Sequence, residues 1–139
     1  MNFGKNINPD DLNHFSRGTM AEALEMEVTE VGDNWLIMKM PVNWKVKQPL
    51  GLLHGGASMA LAENAGSLAA NLMAGEGKAC LGLEINGNHV RSVSEGVIYA
   101  KASPLHIGKR THIWEIRITD EMDRLVCISR ITMAVMNQS

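Results

Sequence analysis

Within the stretch Leu52 to Ala70, LLHGGASMALAENAGSLAA, a single carboxylate stands among small and apolar residues. Glu63 is followed at i+4 and i+8 by Ser67 and Asn71, with Asn64 nearby, and on a helix these form a narrow polar stripe away from Leu61, Leu68 and Leu72. A solvent-facing stripe of an amphipathic helix is the ordinary reading of such a pattern, yet this stripe holds one acid and no Lys or Arg. A charge that leaves water needs a partner or a purpose. Upstream, His54-Gly55-Gly56 occupies the start of the same helix. Glycine lets backbone approach a ligand closely, and the free N–H groups of a first turn lie at the positive end of the helix dipole. Such a terminus can stabilise negative charge developing on a carbonyl oxygen, although a Gly-Gly pair by itself also fits a plain tight turn. Glu63 lies roughly two turns further along, about 10–12 Å, which is too far for both groups to reach one carbonyl in one subunit. If one of them acts from this chain, the other should come from a second chain.

The elements that must position these residues can be read from periodicity. Asp10 and Asp11 precede a short helical stretch, Leu12 to Gly18. Apolar and polar residues then alternate from Ala23 to Val31, Gly32 to Asn34 makes a turn, and Trp35 to Met40 resumes, which predicts a hairpin. Pro41 to Leu50 reads as a loop. The run from about Ala57 to Met73 is helical and stops at Gly75-Glu76-Gly77. Four strand-like runs follow: Ala79 to Val90, Gly96 to Ser103, Thr111 to Thr119 and Leu125 to Met136, the last two joined by a polar turn at Asp120 to Arg124. A helix that is apolar on most sides must be wrapped, so an α+β arrangement is expected, with an antiparallel sheet curled around a long central helix.

Composition bounds the rest. A chain of 139 residues with 45% apolar and 20% charged side chains suits one compact domain, residues 1–139. A net charge of −2 gives no overall pull toward nucleic acid or an anionic membrane. The opening MNFGKNINPDDLNHF lacks the apolar run of a secretory signal, no later stretch reads as a membrane span, and a cytoplasmic location is expected. Cys80 and Cys127 have no CxxC spacing and read as reduced, buried thiols. No His, Cys and carboxylate set has metal-ligand spacing. The 10 Met residues read mainly as core filler, with some able to face a ligand in an adaptable apolar pocket.

The run Gln48-Pro49-Leu50-Gly51-Leu52-Leu53-His54-Gly55-Gly56, followed by Ala62-Glu63, resembles the signature of the hotdog-fold thioesterases. More narrowly, it is similar to the bacterial branch that includes the 1,4-dihydroxy-2-naphthoyl-CoA thioesterase of menaquinone synthesis and the proofreading thioesterase of enterobactin synthesis. Gly82 to Asn86, Asn88 to Ser92 and Pro104 to Gly108 also match that branch. The resemblance implies that Glu63 is the catalytic carboxylate, either attacking the thioester carbonyl or activating water, while the Gly55 N–H polarises the C=O. It also implies that Gln48 and His54 orient the acyl group and that Ser67 positions the acid or the water. His89, Arg91 and Ser92, together with His106, Gly108, Lys109 and Arg110, would then lie near the phosphates and nucleotide of coenzyme A, where cations and hydroxyls pair well with phosphate. His14 and His112 belong to no motif, and no chemical role is expected of them.

Coenzyme A is here part of the substrate, and no separate cofactor is expected. The partners implied are an acyl-CoA, or an acyl or aryl carrier protein, and further copies of the chain, with the family suggesting a dimer of dimers and a site completed across the interface. Three alternatives stand beside acyl-CoA hydrolysis: hydrolysis of an aryl carrier protein thioester, a hotdog dehydratase or hydratase acting on the α and β carbons, and an acyl-CoA binder without turnover. Gln48 and the Gly-Gly turn fit the thioesterase pattern better than the dehydratase one.

Overall fold

A computed structural model describes residues 1–139. Helix α1 (Pro9–His14) and a short α2 (Met20–Ala23) lead into strands β1 (Glu27–Val31) and β2 (Leu36–Pro41); after a 3-10 turn at Trp44–Val46 comes the long helix α3 (Gly55–Ala74), and then β3 (Lys78–His89), β4 (Val97–Ile107), β5 (Thr111–Thr119) and β6 (Leu125–Asn137). The strands form one 6-stranded sheet in the order β1-β2-β4-β5-β6-β3, with every neighbouring pair antiparallel. Because β3 follows the helix yet pairs with β6, it lies at an outer edge of the sheet, and the helix crosses in front of the middle strands. No helix is long and apolar enough to cross a membrane.

Small residues let α3 sit close to the sheet. Ala62, Ala65, Ala69 and Ala70 are fully buried, and a Cβ added at Gly66 would stand 2.7 Å from Ile131 Cγ2. Trp114, Ile116, Ile118, Ile131 and Met133 supply the facing layer of the core. The expected wrapping holds on one side only. Six strands cannot close around the helix, so Ala60, Asn64, Ser67, Leu68 and Leu72 remain half-buried and Glu63 is exposed in the single chain. Cys80 and Cys127 are free and buried, and burial pushes both thiols up from their ordinary pKa.

Several boundaries differ from the sequence expectation, for local reasons. The first helix begins at Pro9 rather than Leu12 because the Asn8 side chain accepts the Asp10 N–H at 2.9 Å, so the two acids sit inside its first turn. The alternation that starts at Ala23 runs through the end of α2 and a reversal at Glu25, where φ is +60°, before strand geometry begins at Glu27. The Asn13 side chain fixes that entry by bonding both the N–H and the C=O of Val28. Within the loop before α3, the Asn43 side chain caps the 3-10 turn. Strand β4 runs on to Ile107 rather than ending at Ser103, since a register shift between Pro104 and His106 accommodates a proline that donates no ladder bond.

Candidate active site

At the start of α3 the chain builds an opening from backbone. Gln48 and Leu52 close a tight turn through Gln48 N–H to Leu52 O at 2.8 Å and Gly51 N–H to Gln48 O at 2.9 Å; Gly51 takes φ +80°, a value that favours glycine. The His54 N–H then donates to Val46 O at 2.8 Å, which fixes the helix start against the 3-10 turn. His54 is the N-cap, and its Nδ1 accepts the Gly56 N–H at 2.8 Å, so in the neutral ring Nε2 carries the proton and stays free to donate. The Gly55 N–H makes no hydrogen bond within the chain. A Cβ at Gly55 would stand 2.9 Å from His89 Nε2, so the imidazole packs directly on the glycine. Gln48, Gly55, His89, Arg91 and Ser92 line one concavity of about 400 Å³ with Ser58 and apolar walls. The Gln48 side-chain oxygen accepts the Leu50 N–H, which leaves its amide N–H groups available.

Glu63 stands elsewhere. It lies at the margin of the packed face of α3, beside the edge strand, where a Cβ at Gly82 would come within 3.1 Å of Oε2. No cation reaches ion-pair distance of it. One turn on is Ser67, and beyond it the Asn71 side chain accepts the Cys80 N–H at 2.8 Å and donates to the Cys80 C=O at 3.2 Å. The polar stripe is therefore not a random solvated face: its far end is riveted to β3, and its near end presents a carboxylate along the open edge of that strand.

The remaining candidates fall at the end of the sheet nearer Glu63. His106 lies on β4, and Gly108 to Arg110 form the turn into β5, closed by the Gly108 N–H to Thr111 O bond of 2.8 Å. Thr111 pairs with Ala134, His112 with Met133, and Met133 in turn with Gly82, whereas His89 pairs with Cys127. The length of β6 between Cys127 and Ala134 is on the order of 23 Å. Within one chain the structure thus keeps His89, Arg91 and Ser92 apart from His106, Gly108, Lys109 and Arg110. It gathers Gln48, His54 and Gly55 with the first set, and aligns Glu63 and Ser67 with the second. Sequence reasoning missed Ser58, buried against the Gly55 opening, and Gly82, which leaves room for the Glu63 carboxylate. Ser58 lies three residues after Gly55 on the same helix face, a spacing that could have found it; Gly82 carries no local signal.

A long helix laid across one antiparallel sheet is the hotdog architecture, here with a free amide at the first turn of the helix and an acid two turns on. The Thioesterase superfamily model matches residues 50–127, and the chain belongs to that family. It is 45% identical over 132 residues to the 1,4-dihydroxy-2-naphthoyl-CoA hydrolase of Escherichia coli, covering 95% of this chain and 97% of that one. It is 47% identical over 125 residues to the proofreading thioesterase EntH of Cronobacter turicensis, covering 90% and 91%. Among solved structures, a thioesterase from Haemophilus influenzae superposes with a TM-score of 0.95 at 40% identity, over 99% of this chain and 96% of that chain. The protein is a thioester hydrolase of the hotdog fold.

Proposed function

We propose that the protein hydrolyses acyl-CoA thioesters, aryl-CoA in particular, in a site shared by two copies of the chain. The observation that carries this reading is the separation of the two halves. The unbonded Gly55 N–H opens beside His89 at one end of β3, while Glu63 lies against Gly82 nearer the other end, and β3 is an unpaired edge. Antiparallel pairing of β3 with its own copy, about a point near Ile85, sets Gly82 of one strand across from Asn88 of the other. That arrangement brings each Glu63 toward the other copy's Gly55. It also brings the cations around the 106–110 turn of one chain toward His89, Arg91 and Ser92 of the other, so one coenzyme A can meet both sets.

The chemistry then follows from these groups. The thioester C=O accepts the Gly55 N–H, and charge developing on that oxygen is stabilised at the positive end of α3. The His54 Nε2–H and the Gln48 amide orient the acyl group. Glu63 of the second copy either attacks the carbonyl carbon, expelling the thiolate of coenzyme A to leave a mixed anhydride that water opens, or takes a proton from water as it attacks. In both routes the C–S bond breaks, a C–O bond forms, and the products are the free acid and the thiol. A thiolate needs little acid assistance to leave. The relative named for 1,4-dihydroxy-2-naphthoyl-CoA supports an aromatic acyl group.

Thiol release from a panel of aryl-CoA, aliphatic acyl-CoA and acyl carrier protein thioesters, followed by a colour reagent, tests the reading. The expected outcome is cleavage of aryl-CoA with the highest kcat/KM, and a loss of a hundredfold or more in Glu63→Gln, about 3 kcal/mol of transition-state stabilisation. Full turnover in Glu63→Gln would overturn it, and a preference for carrier-protein thioesters would reassign the thiol carrier.

A further inference from the structure

Beyond the last turn of α3, beside the 106–110 turn assigned above to coenzyme A, His112 has no part in the hydrolytic site. His112 on β5 is 2% exposed, faces the core in register with Met133, and has an Nδ1 that is sealed from solvent without a hydrogen-bond partner. The neighbouring Trp114 ring is tilted against it, with centroids 6.4 Å apart. An imidazole is a poor filler for such a place, because a buried polar atom with no partner costs stability that an apolar side chain would not. Its other nitrogen has somewhere to go. His112 lines a concavity of about 330 Å³ together with Met73, Ile107 and Val135 and with Lys78, Gly108 and Lys109, the last two shared with the 106–110 turn. With Nδ1 sealed, Nε2 is the ring atom that meets this space. Orphaned buried N–H groups are rarer than orphaned acceptors, so the proton belongs on Nε2 and the ring presents a donor to the cavity.

We propose that this cavity is a second ligand site, for a small hydrophobic carboxylic acid in its anionic form, with its ring or short chain against Met73, Ile107 and Val135 and an oxygen on the His112 Nε2–H. The volume lies at the lower end of the range for small-molecule sites, too small for a whole coenzyme A thioester. Charge supports an anion. The Lys78 ammonium is engaged with Asn137 Oδ1 at 2.5 Å, whereas Lys109 has no ion-pair partner in the chain. Burial, with the charge of His106 adding to it, holds His112 below the usual imidazole range, so at neutral pH the ring acts as a neutral donor. The site does not depend on Glu63 or Gly55. Its ligand belongs to the chemical class that thioester hydrolysis releases.

Nuclear magnetic resonance of the full chain, with the five histidines labelled, reads this directly. The probe is 2-naphthoate, with inorganic phosphate as a control for simple attraction to the cations of the 106–110 turn. The expected result is a saturable shift of the His112 resonances by 2-naphthoate and not by phosphate, equally in wild type and Glu63→Gln. Affinity should fall at least tenfold in His112→Leu and in Val135→Phe, which fills the cavity, with both variants checked for native circular dichroism. Resonances of His112 that stay fixed while those of His54 or His89 move would overturn the proposal, as would undiminished binding in a folded Val135→Phe. Because Glu63→Gln should abolish hydrolysis and preserve this binding, the two readings fail separately.

Discussion

A methyl group at position 82 would press on the Glu63 carboxylate at 3.1 Å, a contact that a flexible side chain relieves by swinging away. Gly82→Ala is therefore expected to leave the melting temperature nearly unchanged while lowering kcat/KM about tenfold, a loss of ~1.4 kcal/mol. Equal losses of stability and activity would place Gly82 in the fold rather than beside the chemistry. His112 makes a different prediction. Its folded pKa lies below the ordinary 6.5 because burial disfavours the charged ring. The unfolded chain then binds the proton more readily, so stability is full above about pH 6.5 and falls as pH drops through the folded value. Denaturant melts between pH 7.5 and 5 should show that decline, and His112→Leu should flatten it; an unchanged slope in the variant would remove His112 from the account. At this scale residue type and spacing singled out Glu63 and Gly55 as candidates, and the resemblance supplied the roles proposed for them. Neither gave Gly82 a role beyond its place in the matching Gly82 to Asn86 run, because the meaning of that glycine comes from a strand that meets the helix only in the folded chain, and neither assigned anything to His112, whose burial depends on the β5 to β6 register.

Helix α3 was legible because its small residues have one purpose, close approach to a sheet, and because Gly75 ends it with φ +80°. Gly66 is the narrowest point of that approach, with Ile131 Cγ2 at 2.7 Å and Ile116 Cδ1 at 3.2 Å from an added Cβ. Gly66→Val should cost about 1–3 kcal/mol through overpacking, measured by urea unfolding, and a neutral result would mean that the helix can lift from the sheet without penalty. The strands after the helix were predicted to within a few residues because alternation there reports a real difference between a dry and a wet face. The N-terminal hairpin was legible, but the start of its first strand was misplaced because the end of α2 and the turn after it half-bury Leu24 and bury Met26, which mimics strand alternation. The extension of β4 through Pro104 was hidden for the opposite reason: proline normally stops a strand, and here a bulge absorbs it.

At the scale of the molecule, the proposed pairing of two copies rests on the edge of the sheet. A 12-residue edge strand with Leu81 and Leu83 exposed is a surface that natural sheets cover or pair. The half-open face of α3 lies beside that edge, and the two halves of the proposed site stand at different ends of it. Edge-to-edge pairing satisfies all three conditions at once, and a two-fold symmetric pair makes two equivalent sites. Light scattering should accordingly report a dimer or a multiple of it. The central claim is that Glu63 and the Gly55 amide serve one thioester from different chains, and subunit mixing tests it most directly. Glu63→Gln and Gly55→Val are each expected to be inactive alone. Refolded together in equal amounts, they should recover about a quarter of wild-type aryl-CoA hydrolysis, since random pairing makes half of the dimers mixed and each mixed dimer retains one intact site of two. Mixtures that form mixed dimers yet remain as inactive as the separate variants would contradict a shared site.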